Sequence, residues 1–350
     1  MVLPGLEVVA AEEIEHELGG EVKKQGDGFV VFRVPQIDDS LLSLRTTEDV
    51  FVLAWGSDTL TYRAVDLDRI RQWTAREANW AQLLRTHHAV RPKPKGKPTY
   101  RLIAQMSGVH GYRRVDALKA FADGLRGKFP SSWRPAEENA AVEFWLTIHG
   151  ATAVCGLRLS DRTMRHRTYK DEHLAASLRP TLAAAMVRLA DARFGQTVLD
   201  PMCGAGTILA EQLEAARMRR GFQLRMIGGD RDPAALRAAG SNLRRLGKVL
   251  LARWEARRLP LANASIDRVI SNPPFGKQLG RPEEIASLYD DMVAEYDRVL
   301  RPDSRAVLLA ADFTALKRAA ASRGWKLVRG LRVRVLGQKA SLTVWQTRSP

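Results

Sequence analysis

Cysteine is scarce in this sequence: Cys155 and Cys203 are the only two among 350 residues. Two thiols supply neither a disulfide framework nor the four ligands of a structural zinc site. Long apolar runs are also lacking, since no stretch reaches the ~18–20 uninterrupted apolar residues of a membrane span. The N-terminal stretch is acidic and has no basic region or cleavage site of a signal peptide. These absences predict a cytoplasmic protein with no membrane partner.

Acidic residues are outnumbered as well. The chain has 39 Asp and Glu against 55 Lys and Arg, which gives a net charge of +16 and an isoelectric point near 10.3. A balance of this kind is typical of proteins that bind a polyanion, because Lys and Arg contacts to phosphate dominate nucleic-acid affinity. The alternative is biased codon usage, since arginine outnumbers lysine and the chain is rich in Ala and Leu.

Several ligand-binding motifs are absent. The dinucleotide fingerprint G-x-G-x-x-G needs a third glycine, but the chain has Leu209 at that position after Gly204 and Gly206. No G-x-x-x-x-G-K-[ST] sequence exists, which excludes a P-loop for nucleoside triphosphates. The histidines have no metal-ligand spacing with Cys, Asp or Glu, so we expect no metal.

The first 160 residues are predicted to form two α+β domains. Residues 1–58 have the order helix, strand, helix, strand, which fits a small ferredoxin-like layer. Residues 59–160 show a helical pattern over 67–84 and two late strands that form a hairpin turned at His149-Gly150. This second domain is the candidate nucleic-acid-binding part of the chain.

A basic connector spans residues 160–170, and two basic segments before it are candidate phosphate contacts: the Pro-rich loop 91–98 and the pair Arg113-Arg114. For each of them an ordinary solvated surface is the alternative. The connector leads into a predicted helix over 173–194, in which Pro180 marks either a break or a first turn.

Residues 176–350 alternate short apolar runs with helices, which implies an α/β domain with a doubly wound parallel sheet. The last two predicted strands, 325–336 and 340–346, add an antiparallel hairpin at the end. Ligands bind such sheets at the carboxyl ends of the strands. The residues that follow each strand are therefore the candidate site.

The first strand of this domain runs into Asp200-Pro201-Met202-Cys203-Gly204-Ala205-Gly206-Thr207. The glycines allow close approach of a ligand to the backbone, and the acid before them favours a cationic amine over a pyrophosphate. Asp230 ends the next strand, where ribose hydroxyls are bound in this fold class, and Glu255 follows the third. Capping of the next helix is the alternative role for each acid. Together the series predicts an adenosine with an amino-acid tail, S-adenosylmethionine (SAM).

A tetrapeptide, Asn272-Pro273-Pro274-Phe275, follows the fourth strand. The two prolines have fixed φ and no N–H, so they end the strand and hold the loop still. The Asn272 side-chain oxygen, the Pro273 carbonyl and the Phe275 ring then suit a flat ring that carries an amino group. A turn that merely ends the strand is the alternative.

These segments, DPMCGAGT, GGDRD, WEARRLPL and NPPFG, look like the successive motifs of class I SAM-dependent methyltransferases. The NPP-aromatic form resembles enzymes that methylate exocyclic amines of bases. With RHRTYK and LAASLRPTLAAAMV before it, the chain is similar to RNA methyltransferases that carry a THUMP domain after a ferredoxin-like domain. The tRNA guanine-N2 branch is the most similar. Glu255 departs from the family pattern, which usually has Asp there.

The resemblance implies a Rossmann-like methyltransferase domain over 176–350, a linker over 161–175, a THUMP domain over 59–160 and a ferredoxin-like domain over 1–58. It implies methyl transfer from SAM to the N2 amine of a guanine in the acceptor-stem region of tRNA, by a monomer. The implied catalytic residues are Asn272, Pro273, Pro274 and Phe275. The implied cofactor-binding residues are Asp200, Pro201, Met202, Cys203, Gly204, Ala205, Gly206, Thr207, Asp230, Arg231, Glu255, Ala256 and Asn272.

Other functions fit the same residues. Adenine also carries an exocyclic amine, so the tetrapeptide is compatible with N6 methylation of adenine in nucleic acid, and ribosomal RNA is an alternative substrate to tRNA. A non-catalytic RNA-binding module with a degenerate methyltransferase fold is the third alternative. The presence of Asp200, Gly204, Gly206, Asp230 and Asn272 argues against it. Cys203 is assigned no nucleophilic role.

Overall fold

The computed structural model describes residues 1–92, 95–174, 177–219, 221–275, 282–335 and 337–348. The strands within these residues form three sheets, of two, five and seven strands. No helix in the described ranges is long and apolar enough to cross a membrane.

The N-terminal segment is a helix followed by a hairpin. Helix α1 (Glu7–Leu18) ends at Gly19, whose left-handed φ of 60° stops the helix. Strands β1 (Glu21–Gly26) and β2 (Phe29–Arg33) pair antiparallel around Asp27-Gly28, a dipeptide typical of hairpin turns. The sequence predicts β2 but not β1, because β1 is polar and mostly exposed.

The five-stranded sheet is built from the middle of the chain, after a 3-10 helix at Asp39–Ser43. Its elements are β3 (Phe51–Ser57), α2 (Val65–Arg76), α3 (Trp80–Val90), β4 (Thr99–Ser107), α4 (Arg114–Gly124), β5 (Arg134–Pro135), β6 (Val142–His149) and β7 (Thr152–Arg158). The strand order is β3-β7-β6-β4-β5. Strand β3 was placed by sequence at the end of the first domain, yet it pairs with β7. Strand pairing therefore crosses residue 58, and the domain boundary there stays a prediction.

The single helix predicted over 67–84 is wrong, since α2 ends at Arg76 and α3 begins at Trp80. The Asn79 side chain accepts a hydrogen bond from the Gln82 N–H at 3.1 Å and so caps α3. The Trp80 indole N–H, in turn, donates to the Thr74 carbonyl at 2.7 Å. The apolar residues of both helices pack into the same core, which is why periodicity alone misses the break.

A short connector leads to the third sheet. It contains a one-turn helix, α5 (Thr163–His166), and leads into α6 (Pro180–Ala190). Pro180 thus occupies the first turn of α6, where its missing N–H removes no intrahelical hydrogen bond. Helix α6 is shorter than the predicted 173–194 because Asp191 adopts a left-handed φ of 47°.

The seven-stranded sheet has the order β10-β9-β8-β11-β12-β14-β13. Its elements are β8 (Thr197–Asp200), α7 (Thr207–Met218), β9 (Arg225–Asp230), α8 (Pro233–Leu243), β10 (Leu250–Arg253), β11 (Ile266–Ser271), α9 (Pro282–Val299), β12 (Leu300–Ala310), α10 (Phe313–Ser322), β13 (Lys326–Val335) and β14 (Gln338–Gln346). Strands β8 to β12 are parallel, and β13 and β14 form the antiparallel hairpin. The predicted α/β fold with a Rossmann-like sheet and terminal hairpin is confirmed.

Helices cover both faces of this sheet, and each face has its own apolar core. Helices α6, α7 and α8 pack on one side, and α9 and α10 pack on the other. The chain order reverses between β8 and β11, which are neighbours in the sheet. Loops after these two strands diverge to opposite faces and leave a crevice between them.

Candidate active site

A cavity of about 760 Å³ lies at the carboxyl ends of β8, β9 and β11. This volume is within the range of small-molecule sites. Fifteen of the sixteen residues predicted for the site line it. They are Asp200, Pro201, Met202, Cys203, Gly204, Ala205, Thr207, Asp230, Arg231, Glu255, Ala256, Asn272, Pro273, Pro274 and Phe275. Gly206 does not line it.

Asp200 places a carboxyl group in the wall of this cavity, and few protein groups donate hydrogen bonds to it. Its side chain is 1% exposed, and Oδ1 accepts one long hydrogen bond, from the Met202 N–H at 3.3 Å. Burial raises the pKa of this carboxyl well above its ordinary value, and the nearby charge of Asp230 raises it further. A cationic ligand group would supply the counter-charge that the protein does not.

The loop between β8 and α7 is fixed to the end of β9. The Gly204 N–H donates to Asp230 Oδ2 at 3.0 Å, and the Cys203 N–H donates to the Gly229 carbonyl at 2.9 Å. The Asp232 N–H donates to Asp230 Oδ1 at 3.0 Å. Asp230 therefore orients the glycine loop, and its remaining lone pairs are available to hydroxyl donors.

Gly206 has a structural position instead of a lining one. It precedes α7 with a left-handed φ of 76°, and a Cβ there would lie 3.2 Å from the Ala239 Cβ. Cys203 is buried, and burial together with the charges of Asp200 and Asp230 raises its thiol pKa. A thiol held in its neutral form is a poor nucleophile, in agreement with the role it was given from sequence.

Trp254 lines the cavity and was not predicted. Its indole N–H donates to the Pro201 carbonyl at 3.0 Å, so the ring is held against the β8 loop. A Cβ on Gly229 would overlap this ring. The signal in the sequence is an aromatic residue directly before Glu255, at the end of a strand.

Gly229→Ala is expected to lower the free energy of unfolding by about 1–3 kcal/mol and to weaken SAM binding, because the added methyl displaces Trp254. Chemical denaturation and calorimetric titration with SAM measure the two effects. Gly330→Ala is the matched control, since no atom lies within 4 Å of a Cβ there. Equal free energies of unfolding and equal SAM affinities in the two variants would contradict the role given to Gly229.

Glu255 and Arg257 lie together on the rim. Arg257 Nε is 3.4 Å from Glu255 Oε1, and Arg257 also approaches Asp291 at 3.8 Å. Glu255 therefore already has a cationic partner. The following residue, Ala256, is buried beside it in the cavity wall.

The tetrapeptide begins directly after β11. The Asn272 Oδ1 atom is buried and has no hydrogen-bond partner among the described residues. Pro273 is buried and Phe275 is half-buried against the same cavity. An unpaired buried acceptor is costly unless a ligand donates to it.

The segment of the connector between α5 and α6 also contributes to the cavity, which the sequence did not predict. Leu174, Ser177 and Leu178 line it. Buried Asn242 on α8 holds this segment. Its Oδ1 accepts from the Glu172 N–H at 2.9 Å, and its Nδ2 donates to the Glu172 carbonyl at 3.1 Å and to the Ala205 carbonyl at 2.9 Å. One side chain thus links the connector to the glycine loop.

Asn242→Ala is expected to raise the Kd for SAM, because it frees the connector from the glycine loop. It also leaves buried backbone groups unpaired, which lowers the free energy of unfolding by about 1–3 kcal/mol. Ala235→Gly on the same helix is the control, with a stability loss of about 1 kcal/mol and an unchanged Kd for SAM. Calorimetric titration of both variants measures the Kd for SAM. An equal loss of SAM affinity in both would show that Asn242 acts only through stability and does not position the glycine loop.

The N-terminal half is tied to the same helix that begins at the glycine loop. Glu211 on α7 is 1% exposed and accepts from Arg45 Nε at 2.7 Å, Arg167 Nε at 3.1 Å and the Tyr169 hydroxyl at 2.7 Å. Arg45 follows the 3-10 helix at Asp39–Ser43, in the N-terminal half of the chain. A buried carboxylate with three donors fixes the position of that segment relative to the cavity.

The basic segments predicted as phosphate contacts do not line the cavity. Residues 93 and 94 of the Pro-rich loop lie outside the described residues. Arg113 is exposed and pairs with Asp116 at 3.3 Å, and Arg114 Nη1 donates to the Ala104 carbonyl at 3.4 Å. Within the described part of the chain, no group of three or more His, Cys, Asp or Glu is arranged to hold a metal.

Comparison with known proteins places these residues in a family. The model of the family UPF0020, described as an RMKL-like methyltransferase domain, matches residues 167–340. A tRNA (guanine(6)-N2)-methyltransferase of Thermus thermophilus is 29% identical over 90% of this chain and 89% of its own length. Cattle tRNA (guanine(6)-N(2))-methyltransferase THUMP3 is 30% identical over 67% of this chain, which spans only 48% of that relative.

A solved structure extends the similarity to the whole chain. TrmN from Thermus thermophilus superposes with a TM-score of 0.72 and 26% identity, covering 99% of this chain and 98% of its own. All residues that line the cavity lie within the domain that the family model matches. Residues 167–340 of the chain therefore form an RMKL-like, SAM-dependent methyltransferase domain.

Proposed function

We propose that this enzyme transfers a methyl group from SAM to the exocyclic N2 amine of a guanine in the acceptor-stem region of tRNA. The observation that carries the proposal is the buried Asn272 Oδ1, which has no partner among the described residues and lies in the same cavity as Phe275 and the Asp200 loop. The Thermus relative, named for methylation of guanine 6 of tRNA, supports the choice of base and RNA.

The residues around the cavity fit SAM. Asp200 offers a buried carboxylate to the amino group of the methionine part, and the backbone at Gly204 lies close by. Asp230 offers its free lone pairs to ribose hydroxyls. Trp254, Glu255 and Ala256 form the wall proposed for the adenine ring. When bound, the cofactor supplies a methyl group on a sulfonium centre.

The tetrapeptide is proposed to hold the target base. A guanine flipped out of its stack lies against Phe275 and donates from N2 to Asn272 Oδ1 and to the Pro273 carbonyl. Two acceptors fix the direction of the nitrogen lone pair, and orientation supplies most of the rate. They also stabilise the positive charge that develops on the amine during in-line transfer. This chemistry requires neither a metal nor a covalent enzyme intermediate.

The N-terminal half is proposed to bind the tRNA. We assign residues 59–160 to a THUMP domain, 1–58 to a ferredoxin-like domain, 161–175 to the linker and 176–350 to the methyltransferase domain. The net charge of +16 favours a polyanion, and the ties to Glu211 keep the bound RNA at a fixed distance from the cavity. We expect a monomer that acts in the cytoplasm.

The test is transfer of tritiated methyl from SAM to bulk tRNA, bulk ribosomal RNA and DNA in parallel reactions. The proposal predicts label in tRNA. Label confined to ribosomal RNA would favour the alternative substrate. Label in DNA alone would overturn the assignment to RNA, and label in none of the three would point to a degenerate, non-catalytic domain.

A further inference from the structure

The surface formed by α8, its flanking loops and β10 is strongly basic. Residues 231–253 contain six Lys and Arg but one acid, Asp232. The six cations, which are all exposed, are Arg231, Arg237, Arg244, Arg245, Lys248 and Arg253. We name this set the α8–β10 surface. Asp232 is already used as the cap of α8, because its side chain accepts from the Ala234 N–H at 2.8 Å.

These cations are not used inside the protein. Among the residues that the structure describes, none of the six forms an ion pair. Arg253 Nε donates a hydrogen bond to the Arg231 carbonyl at 3.1 Å, which joins the two segments that flank α8 and β10. By contrast, Arg257, Arg298 and Arg318 on the neighbouring elements each pair with a carboxylate. Six uncompensated charges on one surface repel one another unless a polyanion is bound.

The position of this surface connects it to the chemistry. Arg231 lines the cavity at one end of α8, and Arg244, Arg245 and Lys248 follow its other end. The 11 residues of α8 extend about 16 Å at 1.5 Å per residue. β10 is the edge strand of the sheet, and no further strand of the described residues pairs with its outer side. The cations therefore form a track that leads away from the cavity rim.

Helix α9, which packs on the opposite side of the sheet, is acidic. Helix α9 contains six acidic residues and one basic residue in 18 positions. Glu284 of this helix lines the cavity, across from the α8–β10 surface. A phosphate chain that approaches the cavity is attracted along α8 and repelled along α9. The charge asymmetry selects one direction of approach.

We propose that the α8–β10 surface binds the phosphate backbone of the RNA strand next to the target base. This proposal rests on the function proposed above and adds a contact surface on the methyltransferase domain itself. The charges neutralise phosphates and release counterions, so the contribution is independent of sequence and sensitive to salt. The surface fixes the strand on which the target nucleotide is presented to Phe275.

The test is the triple variant Arg237→Gln, Arg244→Gln, Arg245→Gln. Binding of bulk tRNA is measured by fluorescence anisotropy over a series of salt concentrations. Each lost phosphate contact lowers the slope of log Kd against log salt by about 0.7–0.9, so the triple variant is expected to lose about two units of slope. We expect its Kd for tRNA to rise about tenfold or more at low salt. Its Kd for SAM remains unchanged, because none of the three residues lines the cavity. Its melting temperature does not fall, because the substitutions remove mutually repelling charges and no ion pair.

The control carries the same change of charge on the other side of the sheet: Lys317→Gln, Arg323→Gln, Lys326→Gln. These residues are exposed: Lys317 lies on α10, Arg323 is the residue directly after it, and Lys326 begins β13. Equal Kd and equal salt slope in the two triple variants would overturn the α8–β10 surface and leave the proposed function intact. A wild-type enzyme that neither binds nor methylates tRNA would overturn both.

Discussion

Asn272→Ala is expected to lower kcat for methyl transfer by about 10²–10³-fold, the effect of removing one preorganised polar group aimed at developing charge. The buried Oδ1 has no protein partner among the described residues, so its loss leaves no other group unpaired. The variant should therefore fold with wild-type stability or better. Single-turnover methylation of tRNA and calorimetric titration with SAM measure the effect.

Binding of SAM serves as the internal control for this variant. Asp200 and the glycine loop are untouched, so the Kd for SAM should remain close to that of the wild type. Asn272→Asp keeps an acceptor oxygen at the same place and should retain a measurable part of the activity. If Asn272→Ala binds SAM as tightly as the wild type and its turnover is also unchanged, Asn272 Oδ1 does not act as the acceptor for the amine.

Asp200→Asn is expected to weaken SAM binding by about 10–100-fold, because a charge-assisted hydrogen bond to the ligand ammonium becomes a neutral one. Burial and Asp230 raise the pKa of this carboxyl. SAM affinity of the wild type should therefore rise with pH as Asp200 ionises, and the variant should lose this dependence. Calorimetric titrations across a pH series check both statements.

The same substitution is expected to stabilise the ligand-free protein. The pKa of Asp200 is higher in the folded state than the ordinary value of about 3.9 in the unfolded chain. Above that value the unfolded chain has released its proton while the folded protein still binds it, so stability falls as pH rises. Replacement by Asn removes this loss, and the melting temperature at pH 8 should rise.

Opposite movements of affinity and stability distinguish a ligand-binding carboxylate from a structural one. Asp230→Asn is the informative comparison, since both Asp230 oxygens accept backbone N–H groups. Its replacement should lower stability as well as affinity. A loss of stability in Asp200→Asn would contradict the role assigned to that residue.

Much of the cavity could be predicted from sequence because of one geometric rule. In a parallel sheet the carboxyl ends of the strands meet at one edge, so acids and glycines after successive strands must converge. Asp200, Asp230 and Glu255 were found in this way, and Asn272 followed from its place after β11. To predict that these residues converge, it was enough to know which residue directly follows each strand in the sequence.

Residues whose role depends on long-range contacts were missed. Asn242 acts on Glu172, 70 positions away, and nothing in the helical pattern of α8 marks it. The position of Trp254 against Gly229 depends on how two neighbouring strands align. In the same way, β3 was assigned by nearness in sequence, whereas its pairing with β7 joins residues about 100 positions apart.

The central claim is that Asn272 and Pro273 hold the N2 amine of a guanine in tRNA for methyl transfer. The most direct test is nucleoside analysis of tRNA that the wild-type enzyme has labelled from tritiated SAM, with Asn272→Ala in parallel. Label from the wild type is expected to elute as N2-methylguanosine, and the variant is expected to yield almost none. Label in N6-methyladenosine would contradict the central claim.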